Sequence, residues 1–357
     1  MYFFRKKLQL LFKILASRLF KFFYGEIICN NSVSQKIKID EVKKNNQIYK
    51  LASIEEGRIY TDYVENVAII SNNLIVNHVS YQQIRGELKD ASTNIVIKRG
   101  TPRIKKKVSG KVFSLTQGAS GNNYFHWLFD ILPRLFILEE MYKIKNIDYF
   151  YVPDTQPWQL SSLSAFEIDK TKLINSRRFR HIVADNIIAT SHPWYKKGYI
   201  LNEAKNLPSW IIKEINLKFN KFSKKFDCNE NFFIDRRESK YNHCQIINDE
   251  ELKEYLIKKN FSVYRVGELS FFEQIFLFQN AKTIIGAHGA AFANLVFCKP
   301  ETKVIEIIPE DHPNTVDQTI SNYKGLNFNY IKTKKLDDSE KKNGDIILPI
   351  NEIQKFF

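Results

Sequence analysis

The amino-acid sequence predicts an α/β protein with parallel, doubly wound sheets, on three observations. Its 357 residues exceed what one small core organises and suit two domains of ordinary size. Beyond residue 230, short runs of Phe, Val and Ile alternate with helical segments that open on cap residues, the pattern of a parallel sheet with crossover helices. Near residue 112 an apolar run leads through TQGASGNN into a long apolar helix, the opening of a βαβ unit. With 44% hydrophobic and 26% charged residues, the composition is that of a folded, soluble-type chain rather than a disordered one.

The first element is residues 1–25, MYFFRKKLQLLFKILASRLFKFFYG. Charges interrupt it too often for the ~20 apolar residues of a membrane span. It also lacks the clean apolar core and A-x-A site of a signal peptide. On a helical wheel Phe4, Leu8, Leu11, Phe12, Leu15, Leu19 and Phe22 form one stripe, with Arg5, Lys13, Arg18 and Lys21 elsewhere. A basic amphipathic helix of this kind suits an anionic membrane surface, or packs its stripe on the protein's own body. The net charge of +15 is local: residues 1–25 hold six basic and no acidic residues, and 98–111 hold seven and none. The rest is nearly balanced, which excludes a uniformly basic nucleic-acid coat. Lys, Asn, Ile and Phe are all abundant, a bias that codon composition alone produces.

Residues 26–226 form the expected first domain. Val67–Ile70, Leu74–Val79, Ile95–Lys98 and Val112–Thr116 read as strands, being rich in Val and Ile and bounded by Asn, Ser and Gly. A strand at Asp148–Val152, a helix at Thr155–Phe166 and a strand at His181–Ala189 follow, then a basic connecting helix at Pro208–Phe226. In the second domain, 227–357, strands are expected at 232–235, 261–266, 282–285 and 303–308. Asn248 with Glu251, and Ser270 with Glu273, mark capped helix starts, and GAHGAAFANL opens a further helix.

Three stretches carry chemistry. In GNNYFHWLFDILPRLFILEE, Asn123 caps a helix whose first turns place His126 and Asp130 four residues apart on one face. Pro133 removes a helical hydrogen bond one turn later and should kink the helix. The pair suits general base catalysis, with either residue as base and the other orienting it. The plainer alternative is a packed histidine beside a carboxylate that serves some basic group. In TIIGAHGAAFANLVF, small residues let backbone amides approach a ligand at a helix start, and His288 adds a donor. Gly286, Gly289, Ala290 and Asn294 belong to this turn, which tight strand–helix packing would also explain. Third, Arg236 and Arg237 follow the strand FFID, where guanidinium groups match phosphate oxygens or simply face solvent. Glu306, in VIEII, suits a ribose hydroxyl or a neighbouring base.

Other chemistries fail. No phosphate loop of the GxxxxGK[ST] type, GxSxG elbow or HExxH is present, and the seven histidines lack metal-ligand spacing. No D-x-D follows a strand, and Asp337–Asp338–Ser339 reads as an exposed loop, so no metal is expected. Cys29, Cys228, Cys244 and Cys298 form no CxxC pair, which suits buried free thiols in a reducing compartment.

The ordered set of N-x-x-H-x-x-x-D (Asn123, His126, Asp130), FIDRR, NDEEL, LSFFEQ and IGAHGAAFANLVF resembles glycosyltransferase family 61 over roughly residues 110–330. The resemblance implies a GT-B-like architecture of two facing Rossmann-like domains with parallel sheets, here preceded by the basic amphipathic helix. It also implies inverting, metal-independent transfer from a nucleotide-sugar donor, UDP-linked, with no cofactor. Asn123, Arg236, Arg237, Gly286, His288, Gly289, Ala290, Asn294 and Glu306 are then expected to bind the donor, and His126 and Asp130 to catalyse. Bacterial members accompany capsule and lipopolysaccharide genes, so the expected acceptor is a surface polysaccharide or lipid-linked glycan. The expected place is cytoplasmic, peripheral on the inner face of the cell membrane. The alternatives are a non-catalytic carbohydrate- or nucleotide-binding protein of the same fold, or a nucleic-acid-binding protein, for which no recognition motif is present.

Overall fold

Val-, Ile- and Phe-rich runs do form the strands, but their direction depends on the turns between them. The computed structural model describes residues 2–29, 35–61, 67–84, 86–117, 121–196, 198–199, 204–237, 244–310, 312–313, 315–334 and 345–357. Contacts divide the chain into two units, Met1–Asn202 and Glu203–Phe357. The boundary precedes the expected one because the helix Ser209–Phe219 buries Trp210, Ile211, Ile212, Ile215 and Phe219 inside the second unit. Asn216 on the same helix donates to the Val296 carbonyl at 2.6 Å.

In the first unit the strands are β1 (Ile37–Lys44), β2 (Gln47–Glu55), β3 (Arg58–Thr61), β4 (Val67–Ser71), β5 (Leu74–Ile75), β6 (Gln82–Ile84), β7 (Glu87–Lys89), β8 (Lys106–Ser114), β9 (Tyr149–Val152), β10 (Leu173–Asn175), β11 (His181–Thr190) and β12 (Gly198–Tyr199). The main sheet runs β10-β9-β8-β11-β3-β4-β5, with β2 also on β11 and β1 on β2. From β10 to β11 the pairings are parallel, as expected. Beyond β11 they are antiparallel, so the sheet is mixed rather than parallel throughout. The cause is local. Asn45–Asn46 and Asn72–Asn73 all have positive φ, as two-residue hairpin turns require, and such turns pair strands antiparallel. Ile95–Lys98 is a further correction, because Ile95–Arg99 is a short helix. The Asn94 side chain caps it by accepting from the Val96 N–H, and Gly100 ends it at φ +66°.

The second unit carries β13 (Asn231–Ile234), β14 (Ser262–Tyr264), β15 (Thr283–Ala287), β16 (Lys303–Pro309) and β17 (Asn327–Thr333). All four pairings are parallel, in the order β14-β13-β15-β16-β17. The chain leaves β13 toward one edge and returns to β15 on the other side, so the strand order reverses between β13 and β15. Open α/β sheets bind ligands at the carboxyl ends of strands beside such a reversal. The Ser270–Glu273 capping box forms as expected. Asn248 does not cap its own helix; it exchanges hydrogen bonds with the Leu348 backbone instead. GAHGAAFANL also differs, since Ala290–Phe297 winds as a 3₁₀ helix.

The N-terminal segment is a helix, Tyr2–Tyr24. It touches the unit through its later turns, where Ser17 donates to the Arg99 carbonyl at 2.7 Å. Phe12 and Phe22 stay 72% and 84% exposed. Among the described residues no helix is long and apolar enough to cross a membrane.

Candidate active site

The segment holding His126 and Asp130 is not one helix. An α-turn, Tyr124–His126, passes into a π-turn, Trp127–Ile131, and Pro133–Glu139 resumes as α-helix. Pro133 has no N–H for the carbonyl four residues back, and the backbone responds by widening, with the Leu132 N–H bonded to the Trp127 carbonyl at 3.0 Å. The expected kink beyond Asp130 is therefore a wide turn running through it. Asn123 caps the segment, its Oδ1 accepting from the His126 N–H at 3.1 Å. That role fixes the His126 backbone and occupies the oxygen expected to serve a donor.

Asp130 is fully buried. Its Oδ2 accepts from His126 Nδ1 at 2.7 Å and its Oδ1 from Trp194 Nε1 at 2.8 Å. His192 Nε2 approaches the same carboxylate at 3.8 Å. Burial alone would push this carboxyl up, but His126 and then His192 outweigh it by charge and hydrogen bonding and hold it at about 2. His192 Nδ1 accepts from the N–H groups of Trp194 (3.2 Å) and Tyr195 (3.0 Å), which places the ring proton on Nε2. Burial pulls the His192 pKa down, against the hydrogen bond and charge of Asp130, which raise it. The Gln83 amide nitrogen stands 3.5 Å from His126 Nδ1 and 3.4 Å from Nε2, within reach of a long hydrogen bond to the ring. With Nδ1–H given to Asp130, the His126 Nε2 lone pair lies on the far edge of a partly exposed ring, beside the Gln83 amide.

The second unit gathers its own cluster at the reversal between β13 and β15. His288 follows β15, and its Nδ1 lies 2.5 Å from Glu306 Oε1 and 3.5 Å from Asp317 Oδ2. Thr315 occupies Glu306 Oε2 at 3.0 Å. Burial lowers the His288 pKa, but the Glu306 charge and bonds to Asp317 and Glu306 prevail and raise it to about 9. At neutral pH His288 is therefore an imidazolium. Burial and the Asp317 charge push Glu306 up to about 7 against those same bonds. Ligand atoms of His288, Glu306 and Asp317 lie within 4.8 Å of one another, a spacing also open to a metal ion. The hydrogen-bonded imidazolium accounts for that spacing by itself.

Arg236 donates to the His288 carbonyl, and its guanidinium covers Gly289, where a Cβ would come within 2.6 Å of Arg236 Cζ. Gly289 is thus a close-approach glycine for the arginine. A cavity of about 200 Å³, lined in part by Arg236, Cys244, Gln245 and Ala287, opens here. Arg237 lines the same cavity, but it bonds Asp235 at 3.1 Å and pairs with Glu250. Gly286 is buried, and a Cβ there would press on Ile234 at 3.0 Å. Asn294 is fully buried, bonding Gln274 and the Ala291 carbonyl, so it pins the 3₁₀ helix. Ala290 is exposed at the start of that helix.

The expected residues fall into two separate clusters, His126 with Asp130 in the first unit and Arg236 with His288, Gly289 and Glu306 in the second. Sequence reasoning missed Trp194, His192, Gln83, Thr315 and Asp317. The run SHPWYKK was the available signal for two of these. Asp337, Asp338 and Ser339 lie outside the described residues.

Over 85 residues the chain is 36% identical to a beta-1,2-xylosyltransferase of Oryza sativa subsp. japonica, a stretch that is 24% of this chain and 15% of that protein. Residues 124–305, which hold His126, Asp130, Arg236 and His288, match the sequence profile of glycosyltransferase 61. The chain belongs to the glycosyltransferase 61 family.

Proposed function

We propose that this glycosyltransferase acts by inversion, with His126 as the general base, on a UDP-linked sugar and a hydroxyl of a surface polysaccharide or lipid-linked glycan. The observation that carries the reading is the state of Asp130: ionised, buried, and with both oxygens engaged. A carboxylate so deeply buried and so engaged is out of the acceptor's reach, which favours His126 for the proton. It can hold the His126 Nδ1–H and stabilise the imidazolium that forms at Nε2. The acceptor oxygen then bonds to the anomeric carbon while the bond to the nucleotide diphosphate breaks, the proton passing to His126 Nε2. Charge grows on the departing diphosphate. The His288 imidazolium and the Arg236 guanidinium are the cations expected to meet it, which makes a metal ion unnecessary. Glu306 serves the donor through His288, because its own oxygens are taken. The GT-B architecture, a cytoplasmic place on the inner membrane face and a membrane-surface role for the N-terminal helix belong to the same proposal.

The test is a pair of single variants and their double. His126→Ala and Asp130→Asn should each lower turnover, by roughly 10²–10⁴-fold for the base itself, with donor affinity little changed. The double variant should be hardly worse than the poorer single one, since the two act as a unit. Multiplying losses would break the dyad, and full activity in both singles would return the pair to a structural role.

A further inference from the structure

Beside the N-terminal helix the first unit holds a cavity of about 720 Å³. Lys13, Arg99, Arg103, Lys106, Arg178 and Arg180 line it, and no Asp or Glu does. These side chains come from three separate stretches of sequence that the fold brings together. Arg177, also in the wall, is paired with the exposed Asp154 at 3.1 Å. One aromatic ring holds two of the cations in place, with Lys106 Nζ 3.6 Å and the Arg178 guanidinium 5.2 Å from the centre of Phe179. Like charges gathered in one hollow repel unless an anion joins them.

A second observation points to a ligand. The His181 ring lies in the cavity wall almost fully buried, and its Nδ1–H donates to the Arg103 carbonyl at 2.9 Å. Its Nε2 is buried with no partner. Burial holds the His181 pKa down to about 4, so Nε2 is a bare acceptor, and a phosphate would pair with it only by drawing a second proton onto the ring. A third observation says what kind of ligand. Leu8, Leu11, Phe12, Leu15, Leu19 and Phe22 remain exposed along the adjoining helix, and Phe12 reaches the cavity itself. Nucleic acid offers such a stripe nothing to bury against, whereas a lipid presents phosphate and acyl chain side by side.

We infer that this cavity takes the phosphate headgroup of an anionic membrane lipid while the apolar face of the helix lies among the acyl chains. The inference rests on the membrane-surface reading of the helix and is independent of the transferase chemistry. Basic residues near an anionic surface act singly and add, at roughly fivefold each in partitioning.

The experiment is co-sedimentation of the full chain with vesicles of phosphatidylglycerol in phosphatidylcholine. Arg103→Ala with Arg178→Ala should weaken binding roughly 30-fold. Lys145→Ala with Lys170→Ala removes the same charge from exposed positions elsewhere in the unit and should change it far less. Melting midpoints close to that of the parent would exclude unfolding as the cause. Equal losses in the two pairs would reduce the effect to general charge and overturn the site. Loss on deleting residues 1–25 without loss in the Arg103/Arg178 pair would leave the helix reading standing and overturn the cavity alone. If the unaltered chain ignores the vesicles, both fall. Soluble inorganic phosphate bound as tightly as vesicles, or duplex DNA weakened by the same factor, would overturn the lipid as ligand.

Discussion

Trp194 is the residue on which the order of the His126–Asp130 cluster depends. Its indole N–H is the partner of Asp130 Oδ1, and Asp130 in turn fixes the His126 tautomer. Trp194→Phe keeps much of the ring's packing and removes one bond to a buried charge, which costs about 2 kcal/mol of stability. Turnover should fall with KM little changed, because Trp194 positions the base through Asp130 rather than touching substrate; steady-state kinetics on the folded variant checks this. An unchanged kcat would leave Trp194 a packing residue only. His288 allows a prediction with a definite sign. Its pKa is raised from 6.5 to about 9, so the cation persists through neutrality and is lost as pH rises through about 9. The stability it contributes is complete below about 6.5 and disappears over the same interval. Turnover of the parent should decline above pH 9, while His288→Gln should be roughly 10²-fold slower at neutral pH and lack that alkaline limb. A parent-like alkaline limb in His288→Gln would place the titrating group elsewhere. His126 and Asp130 were legible as a pair because a four-residue spacing encodes contact. Trp194 was not, being 64 residues from Asp130, a proximity that only the folded sheet creates.

At the level of elements, the wide turn through Trp127–Ile131 is where sequence and site meet most closely. Pro133 was readable as a helix breaker, but not the form the break takes. A kink and a π-turn both satisfy a missing N–H, and the choice depends on how the buried residues Trp127 to Ile131 pack. Widening the turn brings residues four apart nearer to eclipse, which suits the 2.7 Å contact of His126 with Asp130. Pro133→Ala restores the donor and lets the segment relax toward a regular α-helix. The expected result is a melting midpoint near that of the parent with turnover lowered roughly 10–10²-fold, as a misplaced base should give. Parent-like turnover would show that the turn is incidental to the chemistry. Elsewhere, strand positions were legible from apolar runs, as at Val67–Ser71 and Lys303–Pro309. Strand direction in the first unit was not: at β1–β2 and β4–β5 it was written in two Asn–Asn pairs whose positive φ values closed hairpins, and at β11 in pairings with β2 and β3, far away in sequence. The IVIK run shows the same limit of composition, since one cap residue before it and one glycine after it made a β-branched stretch helical.

Over the whole molecule, the two units make different claims on experiment. The second has the all-parallel sheet, the strand-order reversal and the cations at its carboxyl ends, so a nucleotide diphosphate should stabilise that unit. A ligand bound only by the folded form at 100 times its Kd adds about 2.7 kcal/mol. At roughly 2–4 °C per kcal/mol, the melting transition should rise by about 5–10 °C with the cognate nucleotide. If the units melt separately, the rise should appear in one transition only. Arg236→Ala should reduce it, and so should Gly289→Ala, because a methyl group there displaces the Arg236 guanidinium. Arg237→Ala should not, since that side chain is committed to Asp235 and Glu250. The same melt repeated with EDTA tests the charge argument directly. With the His288 imidazolium supplying the positive charge, the rise should persist in chelator. A rise that EDTA abolishes would instead give His288, Glu306 and Asp317 a metal ion to hold, and the metal-independent reaction would have to be abandoned.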